Sequence, residues 1–105
     1  MTDLCYTYNM KVDYKLCPKY EKVFKWLGKR WNGLILRCLL DRPMRFTELA
    51  GCLDGCSDKV LTERLKELET EGLVEHIDNH YRLTQLGYDL NQSLDSLQSF
   101  ADKNL

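Results

Sequence analysis

The chain has 105 residues, 44% hydrophobic and 30% charged, the size and balance of one globular domain with a single core rather than a disordered chain. Fifteen Lys and Arg against sixteen Asp and Glu leave a net charge of −1 at pH 7, which taken whole argues against electrostatic binding of nucleic acid. The longest apolar run, Leu34 to Leu40, is broken by Arg37 and too short to span a bilayer, and Met1-Thr2-Asp3-Leu4 does not open a secretory signal, so a cytoplasmic protein with no membrane association is expected.

Residues 1–16 hold Tyr6, Tyr8 and Tyr14 among polar groups without a sustained period, and are expected to form an N-terminal arm placed to pack on a partner subunit. Pro18 marks a helix start, because proline suits the first helical position, where its missing N–H is not needed. That helix turns Val23, Trp26 and Leu27 inward and Lys19, Lys22 and Lys25 outward, and ends near Gly28. A second helix from Arg30 or Trp31 to Leu40 carries Trp31, Leu34, Ile35, Cys38 and Leu39 at helical spacing until Asp41-Arg42-Pro43 stops it. Thr47 is the expected N-cap of a short third helix holding Leu49 and Ala50, closed by the Gly51–Gly55 segment. Ser57 caps the best-marked helix, with Asp58 in its first turn, Val60, Leu61, Leu65 and Leu68 at helical spacing, and Gly72 as its stop. The period then changes. Leu73–Ile77 and Tyr81–Thr84 read as two short strands around a turn of Asp78, Asn79 and His80. Thr84 caps a last helix over 85–105, in which Leu86, Leu90, Leu94 and Leu97 form one stripe expected at a dimer interface, since a small domain would otherwise expose it. The order predicts an α+β, mainly α fold: one winged helix-turn-helix domain over 1–105, with a short two-strand wing and N- and C-terminal dimerisation helices.

The neutral average hides an asymmetry. Residues 11–45 carry ten basic and three acidic groups, a net of +7, whereas 55–105 carry five basic and ten acidic, a net of −5. On the helix after Ser57, about 100° per residue sets Leu61, Leu65 and Leu68 on one side and Lys59, Thr62, Glu63 and Lys66 on the other. Any amphipathic helix has such a wet face; the short helix before it and the hairpin after it make this one a reading face for double-stranded DNA. Ser57 stands where the free N–H groups of a helix start favour a phosphate. Glu63 has a place beside DNA only if it accepts from a cytosine amino group or fixes a neighbouring basic side chain. Arg82, just behind the hairpin tip, is the candidate wing contact, with Asn79 and His80 at the tip and Arg45 and Thr47 at the short helix completing the expected DNA-facing set. His76 and His80 facing one another across the turn would suit a metal, but no cysteine stands beside them at ligand spacing, and neither metal nor cofactor is expected.

Five cysteines, Cys5, Cys17, Cys38, Cys52 and Cys56, cannot all pair within one chain, and no C-x-x-C motif is present. Cys17 precedes Pro18 and so occupies an N-cap, flanked by Lys15 and Lys19; the positive helix start and both ammoniums lower a thiol pKa and favour oxidation. The same position suits an ordinary buried cysteine, and both readings stand at this point. Cys38 lies on an apolar stripe, where a cysteine packs inertly. Cys52 and Cys56 flank the loop ahead of the reading helix, where a disulfide would pull on it.

The run Cys17-Pro18, Leu27-Gly28-Lys29-Arg30-Trp31, Ile35-Leu36, Leu39-Leu40, Pro43 and Arg45-Phe46-Thr47-Glu48-Leu49 resembles the HxlR family of bacterial transcriptional regulators. The likeness continues through Leu61-Thr62, Leu65, Leu68-Glu69, Gly72-Leu73-Val74, Tyr81-Arg82-Leu83-Thr84 and Leu86-Gly87, covering about residues 16–90. It implies a MarR-like winged-helix homodimer held by terminal helices, operator binding through the helix at 57–71, and a thiol switch at the cysteine matching Cys17. A partner for Cys17 would then be Cys52 or Cys56 of the other subunit, Cys52 being preferred. Two departures stand out: the wing lacks the family's longer proline-containing loop, and no cysteine follows Cys56.

A two-fold dimer sets its two reading helices about 34 Å apart and predicts a palindromic operator. Two other classes fit the same elements: a metal-responsive winged-helix regulator, and a winged-helix module used only for protein contacts, which the net charge of −1 favours. Zinc titration against DNA affinity separates the first, and absence of DNA affinity at low salt would single out the second. With no nucleophile–base motif, phosphate loop or paired acid site, no enzyme is expected.

Overall fold

The computed structural model describes residues 17–105, so the expected arm over 1–16 lies outside the described residues. Among the described residues five helices and one two-stranded sheet follow in the order α1 (Pro18–Leu27), α2 (Arg30–Asp41), α3 (Phe46–Cys52), α4 (Asp58–Thr70), β1 (Val74–Ile77), β2 (His80–Leu83) and α5 (Gln85–Asn104). This is the winged helix-turn-helix order expected from the sequence. The chain divides into two compact units, residues 1–30 and residues 31–105. None of the described helices is long and apolar enough to cross a membrane.

In the first unit, Cys17 is the N-cap of α1 in an extended conformation, Pro18 opens the first turn, and the Glu21 N–H donates to the Cys17 carbonyl at 3.0 Å. Val23, Trp26 and Leu27 are half-buried, as their spacing predicts, while Tyr20 and Phe24 are exposed and meet edge to face with ring centroids 5.0 Å apart. The Lys22 ammonium lies 5.8 Å from the Trp26 ring, a cation–π contact that holds one of the outward lysines along the helix.

The second unit packs around Ile35, Leu36 and Leu39 of α2, Leu49 of α3, and Leu61, Leu65 and Leu68 of α4, closed by Leu73, Val74 and Leu83 of the wing and Leu90 of α5. Each such side chain contributes about 1.5–3 kcal/mol by leaving water. Leu34, expected inward on α2, is 43% exposed: the buried face of that helix runs through Asn32, Ile35, Leu36 and Leu39 instead. The third helix also starts earlier than Thr47. Its N-cap is Arg45, because the Glu48 carboxylate reaches back to accept from the Arg45 N–H at 2.8 Å, leaving Thr47 inside the first turn. The end of α4 follows its signals: Gly72 takes φ +80°, the Leu73 N–H reaches the Leu68 carbonyl at 2.9 Å, and the Gly72 N–H the Glu69 carbonyl at 3.0 Å.

The hairpin pairs Val74 with Leu83, Glu75 with Arg82, His76 with Tyr81 and Ile77 with His80. Its turn is therefore the two residues Asp78 and Asn79, both at positive φ (52° and 63°), rather than the three expected. That left-handed pair matches the strand twist, and Asp and Asn tolerate it better than most side chains. A feature with no periodic signal completes the wing. Met44, between α2 and α3, exchanges two backbone hydrogen bonds with Tyr81 (2.9 and 2.7 Å), giving the hairpin a third extended partner.

The last helix begins as predicted, the Thr84 hydroxyl accepting from the Gly87 N–H at 3.1 Å. Gly87 is buried against the wing, and a Cβ there would run into the Leu73 backbone carbonyl. Farther along, the buried Asn91 amide donates to the Leu36 carbonyl at 2.9 Å, and Asp95 pairs with Arg37 at 3.0 Å, so α5 is fastened along α2 by both.

Gly87→Ala should lower stability by about 1–3 kcal/mol, the usual cost of overpacking, and melt about 4–8 °C earlier for each kcal/mol lost. Gly51→Ala, where a Cβ meets nothing within 4 Å inside α3, should leave the midpoint unchanged or raise it. Thermal denaturation followed by circular dichroism checks both.

Candidate nucleic-acid interface

The polar face of α4 rests on the burial of the opposite one. With Leu61, Leu65 and Leu68 in the core, Lys59, Thr62, Glu63 and Lys66 are all exposed, as the wheel predicts. Lys59 and Lys66 stand two turns apart, about 10 Å along the axis, and neither enters a salt bridge among the described residues. Thr62 between them donates its hydroxyl to the Asp58 carbonyl at 2.8 Å. The Ser57 hydroxyl oxygen accepts from the Val60 N–H at 3.1 Å, which leaves the hydroxyl hydrogen to donate outward at the helix start.

The carboxylate of Glu63 lies 3.5 Å from the Arg64 guanidinium, which also reaches Glu67 at 3.4 Å. Arg64 is the half-buried centre of this cluster, its side chain 17% exposed. Glu63 therefore fixes a neighbouring basic side chain, one of the two roles the sequence leaves to it.

The wing places its residues differently from expectation. A two-residue turn sets Arg82 directly across the ladder from Glu75, and the pair closes at 2.8 Å. Arg82 thus stands on the stem of the wing rather than behind its tip, and walls a cleft of about 370 Å³ with Leu39, Pro43 and Tyr88. Asn79 is exposed at the tip, and His80, next to it, donates from Nδ1 to the Asp78 carbonyl at 2.8 Å. His76 and His80 do not face one another. The register puts His76 opposite Tyr81, where the two rings stack with centroids 4.0 Å apart, and sends His80 to the other face of the ribbon.

The Met44–Tyr81 bridge brings two of the expected residues together, since Arg45 follows Met44 and His80 precedes Tyr81 in the facing strand. Glu48 senses both. The Arg45 N–H, and beyond it the Arg42 guanidinium at 3.2 Å and the His80 ring, hold its carboxyl below the ordinary carboxylate range. Tyr81 shows that the wing also lies near α4: burial, and then the Glu69 carboxylate, raise its phenol pKa. Arg45 and Thr47 are exposed beside this junction. The bridge was missed in the sequence because it rests on a single residue; Pro43, which forces its neighbours toward extended backbone, was the one available hint.

Two further groups bear on function. Cys17 is buried and disulfide-bonded, while Cys38, Cys52 and Cys56 are free thiols, Cys52 being exposed. On α5 the expected leucine stripe splits: Leu90 is buried in its own protomer and Leu94 half-buried, whereas Leu86, Leu97 and also Phe100 are exposed at 45%, 61% and 61%.

Residues 26–105 match the family model described as HxlR-like helix-turn-helix. The HTH-type transcriptional regulator YodB of Bacillus subtilis (strain 168) is 42% identical to this chain over 95 residues, which is 84% of this chain and 85% of YodB. In three dimensions the chain is similar to the crystal structure of quinone-bound YodB from B. subtilis, with a TM-score of 0.79 and 46% identity over 83% of this chain and 99% of that one. It is similar as well to the redox regulator HypR in its reduced form, with a TM-score of 0.74 and 25% identity over 82% of this chain and 92% of that one.

The lowered Glu48 pKa has a testable sign. Its ionised form adds stability that is fully present above the ordinary carboxylate pKa and is lost as pH falls through the lowered folded value. Glu48→Gln keeps an acceptor for the Arg45 N–H but carries no charge. Wild type should exceed it in urea midpoint at neutral pH, and the gap should close in acid well below the usual Glu value of about 4.3.

Proposed function

Because the chain belongs to the HxlR-like helix-turn-helix family, we propose that it is a homodimeric regulator of transcription that reads a palindromic operator through α4 and answers electrophiles or oxidants through Cys17. The observation that carries the DNA reading is the pair of exposed, unbridged lysines, Lys59 and Lys66, on the free face of a helix whose other face is core. Laid in a major groove, that face offers Thr62 to base edges and both ammoniums to phosphates, with Ser57 at the helix start for another. Arg45, Thr47, Asn79 and His80 would touch the flanking backbone, and Arg82 would exchange Glu75 for a phosphate. The exposed Leu86, Leu97 and Phe100 support a dimer built on α5, in which a second copy would cover them and the buried Leu90 and half-buried Leu94 would back the interface from within.

The sensing role rests on the N-cap position of Cys17 and on the relatives' states. YodB has been solved bound to quinone, and HypR is a redox regulator. Once reduced, Cys17 would lie at the positive end of α1, where a thiolate is favoured. Such a thiolate adds to an electrophilic carbon of a quinone-type compound, whose oxygen takes up the proton. Cys52, exposed next to the loop before α4, is the second thiol assigned to the response. A reducing cytoplasm is the compartment that would keep these thiols available, and no catalysis is assigned.

Operator selected from a random DNA pool, followed by fluorescence anisotropy over a range of salt, tests the DNA reading. Lys59→Ala with Arg82→Ala should weaken binding across all sequences and reduce the salt slope by about two, without changing the circular dichroism. Unchanged binding by this double variant would remove α4 and the wing as the reading surface. Cys17→Ser should keep operator affinity but lose its response to a quinone.

A further inference from the structure

The end of α2 and the first turn of α3 are joined by the Arg42–Glu48 pair at 3.2 Å. One helical turn back from Arg42 is Cys38, and one turn on from Glu48 is Cys52. Residues four apart share a helix face, so the surfaces that meet at the ion pair meet again, one turn deeper, at two thiols. In the structure Cys52 is the hydrogen-bond partner of Cys38. Both are free, Cys52 exposed and Cys38 half-buried. Cys17 is disulfide-bonded, and the Cys56 thiol donates to the Ser57 carbonyl at 3.6 Å.

We propose that Cys38 and Cys52 form an oxidisable dithiol site for peroxides, in which the exposed Cys52 takes up the oxidant and Cys38 resolves it as an intrachain disulfide. The Cys52 sulfur attacks a peroxide oxygen and the O–O bond breaks, giving a sulfenic acid and, from hydrogen peroxide, one water. The Cys38 sulfur then attacks the sulfenic sulfur; an S–S bond forms, the S–O bond breaks, and the departing hydroxide takes the Cys38 proton as a second water. Two thiols lose two electrons and one peroxide gains them. Burial raises the Cys38 pKa, and the charge and hydrogen bond of Cys52 raise it further, so Cys38 stays a protonated thiol until its neighbour is oxidised. The bond would close a covalent ring around the α2–α3 connection, with Met44, Arg45 and Thr47 inside it. This chemistry is independent of the Cys17 reading and needs no second subunit.

The test is peptide mapping by mass spectrometry of the full chain, first reduced, then freed of reductant and treated with hydrogen peroxide with and without dimedone. The expected result is a Cys38–Cys52 disulfide peptide, two hydrogens lighter than the reduced pair, from protein that runs as monomer on a non-reducing gel. Cys38→Ala should then raise dimedone labelling of Cys52 several-fold over wild type. Recovery of Cys52 from wild type mainly as its dimedone adduct, as sulfinic acid, or crosslinked to another cysteine would overturn the proposal. The wild-type map decides this even if Cys38→Ala fails to fold.

Discussion

Two backbone hydrogen bonds between Met44 and Tyr81 hold the working parts of this protein in one frame. A two-stranded hairpin of four-residue strands is marginal by itself, and a third extended segment gives it a partner on its second edge. The same bonds fix where α3 begins. Arg45, immediately after Met44, becomes its N-cap, and Glu48 closes the first turn on the Arg45 N–H. The wing, the start of α3 and the end of α2 are therefore not separate modules. A shift at any of them moves the backbone of the others.

A second constraint comes from the distribution of charge. The acidic half of the chain supplies the reading helix, yet its acids are largely engaged with arginines: Glu63 and Glu67 hold Arg64, and Glu75 holds Arg82. What remains for an anion is a short row of lysines rather than a broad basic field. The surplus of basic groups in residues 11–45 sits elsewhere, partly on α1, where Lys22 lies over Trp26.

Most of the fold was legible because its boundaries carry chemistry that works locally. Ser57 and Thr84 accept from N–H groups three residues on, Pro18 opens a helix, and Gly72 adopts the left-handed conformation that ends one. The misplacements have local causes too. The capping box at α3 has Glu48 in its usual place but Arg45 where serine or threonine would announce it, so Thr47 drew the cap two residues late. Counting His80 into the turn slipped the ladder by one, which would have set Arg82 opposite His76; the true register sets it opposite Glu75. The leucine stripe of α5 has one period but two destinations, since spacing cannot tell a protomer's own core from a partner's. Nothing local could reveal that Cys38 and Cys52 meet, because their contact depends on the angle at which α2 turns into α3.

The glutamate–arginine cluster on α4 also bears on how such a regulator would search a genome. Each phosphate neutralised by a lysine releases a counterion, and that release supplies most of the grip on arbitrary sequence. A helix with its arginine already neutralised releases few, so its hold on random DNA is brief and only shallowly salt-dependent. Residence time then grows chiefly where base edges meet Thr62 and its neighbours. A small protein of nearly zero net charge would discriminate by leaving wrong sites quickly rather than by gripping the right one with exceptional force.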